Sequence, residues 1–215
     1  MIRPDRVLRS LQEFFDDGRR LALCGPSGVG KTTLASIIEG LTGAPMHQEG
    51  AREWLIEHRV FRYWQMSPAD VARMQLWLLD QMERSDAQLF DRFSVDCMVF
   101  AERAKDVLDL ATFEARAHRI AESMDLILFM PYRSELLIDD GVRKPDPMYQ
   151  LRVGGTMLNL IHRWGLETRT LVYEHHRSVL ENLGHGLDQV ATPAALQLSF
   201  DGDAPRFVKG SPQRE

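Results

Sequence analysis

The chain has 215 residues, with 26 Lys and Arg against 31 Asp and Glu for a formal net charge of −5, and it is 44% hydrophobic and 27% charged. That balance is too apolar for a disordered chain and ordinary for one folded domain able to bury a sizeable core without disulfides or metal. Two cysteines are too few for a disulfide framework, no stretch nears the ~18 apolar residues of a membrane span, and MIRPDRVLRS holds no apolar signal core, so a reducing cytoplasm is expected.

Val7, Leu8, Leu11, Phe14 and Phe15 recur at helical spacing and predict an amphipathic helix over 4–16, closed by Gly18. Residues 19–24 (RRLALC) run apolar into glycine, as a buried strand does, and 31–41 (KTTLASIIEGL) read as a helix broken by Gly43 and Pro45. Residues 51–64 are rich in aromatics: Trp54, Phe61, Tyr63 and Trp64. Ser67 reads as an N-cap, with Pro68 at the first helical position and Asp70 reaching back. The helix it opens runs to about Arg84, with Val71, Met74, Leu78 and Met82 inward.

Residues 87–90 form a short strand ending at Asp91, and 97–108 and 113–124 read as helices. Residues 125–130 (DLILFM) are the clearest later strand, stopped by Pro131. Pro131, Gly141, Pro145, Pro147 and the pair Gly154-Gly155 make 131–155 mostly loop. A helix over 156–164, a last strand over 168–174 and a helix over 177–191 follow, and the polar tail from Asp201 is expected to be mobile. Strands alternating with helices predict an α/β fold with a mainly parallel sheet.

Gly25-Pro26-Ser27-Gly28-Val29-Gly30-Lys31-Thr32 fits G-x-x-x-x-G-K-[ST]. Glycines let backbone N–H groups turn around phosphate oxygens, and the following helix aims its positive end at the same anion. Lys31 reaches the β- and γ-phosphates, the Thr32 hydroxyl suits Mg²⁺, and Thr33 continues the nucleotide-binding turn. By chance the four fixed positions recur in roughly one chain of this length in a hundred. The strand before the motif and the helix after it are the context the chemistry demands. The motif implies ATP with Mg²⁺ but names no reaction.

Asp91 sits at the carboxyl end of a predicted strand, the end that faces the ligand crevice of a parallel sheet. It suits Mg²⁺ orientation or acceptance of a hydroxyl proton. Arg92 beside it suits phosphate, and Asp96 suits an acceptor contact. No N-K-x-D motif for guanine is present.

GPSGVGKTT, QEGAREWLIEHRVF, QLWLLDQM, LFDRFSVDCMVFAE and the long run LILFMPYRSELLIDDGVRKPDPMYQLRVGGTMLNLIHRWG, in that order, resemble the NadR-like P-loop nucleotide and nucleoside kinases. These are relatives of the nicotinamide-riboside kinases, with phage members. The likeness spans roughly residues 19–190. It implies a three-layer P-loop kinase fold with about five mainly parallel strands, helices on both faces and a lid over about 133–155. The organisation is then a helix over 1–18, a kinase domain over 19–199 and a tail over 200–215. The resemblance also implies phosphoryl transfer to a small hydroxyl acceptor. By that likeness, Arg143 and Arg152 close over the phosphates, with Lys144 adding charge. Asp91-Arg92-Phe93-Ser94 looks more like the D/E-R-S of deoxynucleoside kinases. At this length no separate adenylyltransferase domain is expected.

Arg52, Glu53, Trp54, Tyr63, Trp64 and Gln75 lie where this kinase class receives its acceptor. Arg52 suits an anion, a ring stacks on a base, and Gln75 bonds a base edge. Against this, the tryptophans also read as core and Gln75 as a helix-surface residue. His175-His176 point to opposite sides of a chain end and make a poor metal pair. Cys24 reads as a small buried side chain. Three functions remain. The leading one is a kinase for a nucleoside, nucleotide or related small acceptor. The second, taken from the phage relatives, is a kinase for a hydroxymethylated base such as 5-hydroxymethyluracil in DNA, with Arg116, His118, Arg119, Arg143, Lys144 and Arg152 as a basic track. The third is a regulatory ATPase without acceptor.

Overall fold

The computed structural model describes residues 4–48, 50–60, 62–134, 146–175, 177–191, 196–201 and 204–209. Its elements in chain order are α1 (Pro4–Asp16), β1 (Leu21–Cys24), α2 (Lys31–Thr42), β2 (Met46–His47), α3 (Ala51–Glu57), α4 (Pro68–Glu83), β3 (Leu89–Asp91), α5 (Ser94–Ala101), α6 (Leu110–Glu122), β4 (Leu126–Phe129), α7 (Pro147–Arg163), β5 (Thr170–Val172), α8 (Val179–Ala191), β6 (Leu196–Asp201) and β7 (Ala204–Lys209).

All four residues of β1 are buried, as befits a strand paired in parallel on both edges and covered on both faces. It lies at the centre of a sheet ordered β2-β3-β1-β4-β5, in which every pairing is parallel. Alternation along the strands divides the core in two. Leu21, Leu23, Leu126 and Leu128 face a layer formed by α1, α2 and α8. Ala22, Cys24, Phe90, Ile127 and Phe129 face the layer of α4 to α7. This is the α/β fold with a parallel sheet that the sequence predicts, with the three layers and five strands that the resemblance implies. No described helix is long and apolar enough to cross a membrane.

Several elements carry their sequence signals visibly. Val7, Leu11, Phe14 and Phe15 form the buried stripe of α1. The Ser67 hydroxyl accepts from the Asp70 N–H at 3.1 Å and caps α4, whose Val71, Met74, Leu78 and Met82 are buried. Asp109 caps α6 by accepting from the N–H groups of Ala111 and Thr112.

Other elements correct the reading. The segment taken as loop up to residue 155 is helical from Pro147, nine residues before the predicted start at 156. Asp146 accepts from the Tyr149 N–H at 3.1 Å and Pro147 sits in the first turn, which together start the helix that Gly154-Gly155 disguise. The helix expected over 97–108 instead spans Ser94–Ala101 and passes into a tight turn at Glu102–Ala104. The short β2 and α3 carry too few residues for a periodic signal. The tail from Asp201, expected to be mobile, carries β7, which pairs antiparallel with β6 at Leu196–Asp201, so Thr170–Val172 is not the last strand.

The sheet is tied at its amino edge by Arg20. Its guanidinium donates from Nε to the Ala87 carbonyl (3.2 Å), from Nη2 to the Ser85 carbonyl (3.2 Å) and from Nη1 to the Ser123 hydroxyl (2.9 Å). Its backbone N–H donates to Asp125, and the guanidinium lies 4.7 Å from the centre of the Phe90 ring. One side chain thus fastens the segments entering β3 and β4 to β1. Arg20→Ala strands two carbonyls and a hydroxyl together, a loss of about 2 kcal/mol. For a chain of this size the expected fall in Tm is roughly 4–8 °C. A melt in which Arg20→Ala matches the parent would show that the clamp contributes nothing.

Candidate functional site

At the carboxyl edge of the sheet, β1 ends at Cys24 and the chain turns sharply at Gly25. Met130 donates its N–H to the Cys24 carbonyl at 2.7 Å, which draws the end of β4 against this turn. Gly25 has φ +142°, and a Cβ there would lie 2.2 Å from the Met130 carbonyl oxygen. Backbone meets backbone, so glycine alone is accommodated. The loop through Pro26, Ser27, Gly28, Val29 and Gly30 then delivers the amino end of α2, with its positive pole, to the edge of the sheet. Lys31, only 5% exposed, folds back over the loop, and its Nζ donates to the carbonyls of Gly25 (2.5 Å) and Pro26 (2.7 Å). Thr32 and Thr33 stand exposed in the first turn of α2.

Asp91 pairs with Leu23 in the register of β1 and β3, so it reaches the same edge beside the loop. It is 3% exposed, and its Oδ1 has no hydrogen-bond partner among the described residues. Arg92 follows in the left-handed region at φ +74°, rare for a side chain of this size. Its Nη2 donates to Ser27 Oγ at 3.3 Å, across to the phosphate loop.

A cavity opens from this junction into the α4–α7 side. Ser27, Arg92, Tyr149 and Gln150 line it near the loop; Arg52, Leu55, Tyr63 and Trp64 form one wall; Met74, Gln75, Leu78 and Met82 of α4 and Phe93, Asp96, Cys97 and Phe100 complete it. Most of these groups are apolar, and the polar ones among them stand out. Gln75 is 1% exposed, yet its Oε1 has no hydrogen-bond partner among the described residues, and the same is true of the buried Tyr63 hydroxyl. Burial pushes the Tyr63 and Tyr149 phenols up, so both remain protonated hydrogen-bonding groups near neutrality. Burial, reinforced by the Asp96 carboxylate beside it, pushes the Cys24 thiol well up and keeps it from acting as a thiolate nucleophile.

The structure therefore brings together Lys31, Asp91, Arg92, Arg52, Gln75 and Asp96 of the residues singled out in the sequence. Glu53 is exposed on α3 and Arg152 on α7, both outside the cavity lining. Trp54 is core, stacked on His58 with ring centres 3.8 Å apart, whereas Trp64 lines the cavity. Gln75 is an interior residue, not the helix-surface residue of the plainer reading. Arg143, Lys144 and His176 lie outside the described residues. Arg103 and Gln150, which the sequence does not single out, are bonded into the cavity wall and the phosphate loop. Arg103 donates to the carbonyls of Tyr63 (3.1 Å), Trp64 (3.3 Å) and Met66 (3.3 Å), and it lies 4.9 Å from the centre of the Tyr63 ring, so it holds one cavity wall in place. The Asp146-Pro147 start signal of α7 would have placed Gln150 on that helix.

Comparison with solved structures gives the same fold. A structure of NadR protein in complex with NR is 23% identical, with a TM-score of 0.59, covering 81% of this chain and 51% of that one. NadR protein in complex with NAD and AMP-PNP is 20% identical, with a TM-score of 0.62, covering 88% and 54%. Deoxyadenosine kinase from M. mycoides with bound dATP is 16% identical, with a TM-score of 0.56, covering 81% and 100%. The chain spans about half the length of the NadR chains it matches. No curated protein matches it. The family model AAA_28, an AAA domain, matches residues 20–188, and with that match across most of its length the chain belongs to the AAA_28 family.

Proposed function

We propose that this chain is a kinase that uses ATP and Mg²⁺ to phosphorylate a hydroxyl of a nucleoside, a nucleotide or a related small acceptor. The observation that carries the proposal is the continuity of the phosphate loop with a buried, polar-tipped cavity, with Asp91 and Arg92 standing at the junction. The fold relatives support it: those structures hold NR, NAD with AMP-PNP, and dATP.

In this reading the backbone of Gly25, Pro26, Ser27, Gly28, Val29 and Gly30, with Lys31, Thr32 and Thr33, receives the triphosphate. Lys31 exchanges its two loop carbonyls for phosphate oxygens. The acceptor lies in the cavity with its hydroxyl toward Arg92. An apolar floor with the Gln75 amide and the Asp96 carboxylate suits a flat ring bearing donors and acceptors at its edge. Arg52 approaches from the α3 wall. The hydroxyl oxygen attacks the γ-phosphorus, the bond to the bridging oxygen breaks, ADP leaves, and the hydroxyl proton passes to Asp91. Arg92, with Arg143 as the resemblance implies, meets the charge that develops on the transferring group. The donors also suit Mg²⁺, the role open to Asp91 in place of accepting the proton: the Thr32 hydroxyl and the Asp91 carboxylate, whose buried Oδ1 lacks a partner among the described residues, are the hard oxygens this ion takes. Bound there, Mg²⁺ would neutralise charge on the phosphates. Among the described residues no group of three or more His, Cys, Asp or Glu could hold a metal, so its remaining ligands in this reading are phosphate and water.

A DNA-borne acceptor has less support. Arg116 of the supposed basic track is held by Asp80 (2.6 Å) and Glu83 (2.7 Å), and His118 lies against the Trp164 carbonyl at 3.3 Å. Both positions are already committed within the fold.

ADP release measured against a panel of nucleosides and nucleotides tests the proposal, with a water-only blank as reference. Asp91→Asn is expected to lower kcat by about 10²- to 10⁴-fold with little change in acceptor KM. If no acceptor raises ADP release above the blank, the small-acceptor reading falls, and a regulatory ATPase takes its place. In calorimetry, Gly25→Ala and Lys31→Ala are each expected to abolish measurable ATP uptake. The first pushes a methyl group into the Met130 carbonyl, and the second removes the ammonium group. Undiminished uptake by Gly25→Ala would show that the loop is not the nucleotide site.

A further inference from the structure

Resting on that reading, we propose that Gln150 is a positioning residue of the phosphate loop, one that fixes the loop at Ser27 and, through Ser27, sets the place of the Arg92 guanidinium. Gln150 sits in the first turns of α7 and is 2% exposed. Its Oε1 accepts the backbone N–H of Ser27 at 3.0 Å. The hydroxyl of the same serine accepts from Arg92 at 3.3 Å. A buried amide, the loop backbone and the strand-end arginine are therefore joined through one residue.

The approach that allows this is built into α7. Gly154 lies one helical turn beyond Gln150 on the same face, and a Cβ there would stand 3.0 Å from Pro26 Cγ. Bare backbone at this position lets the helix press against the residue preceding Ser27, which brings a side chain of glutamine length into reach of the loop N–H. A loop rich in glycine has many backbone conformations open to it, and most do not present its amides to one anion. The loop is held at its start, where Gly25 passes Met130 and the Lys31 ammonium bonds the carbonyls of Gly25 and Pro26. Gln150 acts on the next residue, Ser27, from α7. It takes up one N–H so that the rest of the loop keeps a single shape, and it holds Ser27 Oγ where Arg92 finds it. The left-handed backbone at Arg92 turns its side chain out of the strand direction, and the Ser27 contact fixes where the guanidinium rests at the mouth of the cavity.

Two variants test this. Gln150→Met keeps length and volume and loses the acceptor oxygen. Gln150→Asn keeps the amide and loses the reach. Hydrogen exchange of the peptide covering residues 25–31 is expected to speed up about two- to tenfold in both, while peptides of α1 and α8 keep their parent rates. Nucleotide dissociation constants and kcat are each expected to worsen by a similar factor, with acceptor KM unchanged. In a double-mutant cycle with Arg92→Lys, the loss in kcat is expected to be less than the product of the single losses, because both changes break the same chain of contacts. Parent-like exchange over 25–31 in Gln150→Asn, or full multiplicativity with Arg92→Lys, overturns the proposal and leaves the kinase reading standing. A parent chain that takes up no ATP overturns both.

Discussion

The site depends on a backbone contact. Because Gly25 passes the Met130 carbonyl with no room for a Cβ, the chain leaving β1 turns at the carboxyl edge of the sheet between its neighbours β3 and β4. Two consequences follow. The amino end of α2, with its positive pole, comes to rest at that edge. Asp91, level with Leu23 on the neighbouring strand, stands beside it. In the proposed reading, a triphosphate seated on the loop brings negative charge against the Asp91 carboxylate, which a cation between them would offset. The geometry of one glycine thus places Thr32, Asp91 and Arg92 around the same edge.

Polar groups elsewhere in the molecule are tied into the structure. Arg20 is bonded to three partners at the amino edge, Arg103 to three carbonyls, and Arg116 to two carboxylates, while Asn182 accepts from the Glu174 N–H at 2.7 Å and donates to the Glu174 carbonyl at 3.0 Å. Among the described residues, buried atoms without hydrogen-bond partners include those of Gln75 and Tyr63 at the cavity and Asp91 beside the loop, together with Ser94 Oγ and the Tyr132 hydroxyl. Each such group costs about 1–3 kcal/mol in the folded chain. In the proposed reading, a bound nucleotide and acceptor complete the groups left open at Gln75, Tyr63 and Asp91.

Much of the fold was legible in the sequence, because long elements announce themselves. The apolar stripe of α1, the Ser67-Pro68 cap of α4 and the unbroken LALC and LILF runs each state period and boundary in a few residues. The phosphate loop was legible because its chemistry fixes residue types at fixed spacing. What failed were the places where tertiary contact overrides local preference. Gly154 weakens a helix locally and was read as loop, yet it is there so that α7 can touch Pro26. Gly186 in α8 serves the same purpose against Leu126. Gln150 was invisible for the same reason, since its partner lies 123 residues away along the chain. Of the substrate candidates, Gln75 is singled out by lying where the resemblance places the acceptor and Asp96 by following Asp91 closely, while their burial comes only from the packing of α4 and α5. Arg103 was missed, because an exposed arginine binding carbonyls looks in sequence like any other.

Arg92 shows how such a site is held together. A non-glycine residue in the left-handed region is strained by roughly 1–3 kcal/mol and persists only where its surroundings over-determine it. Phe93, the next residue, is fully buried, and Asp91, the one before, is locked in the sheet. Between two anchored neighbours the backbone has no freedom to relax, and the arginine is thrown out of the strand direction toward Ser27. An extended conformation at this position would continue the strand and carry the guanidinium away from the loop. The strain is therefore the means by which a charge that belongs to β3 is delivered to the mouth of a cavity on the α4–α7 side.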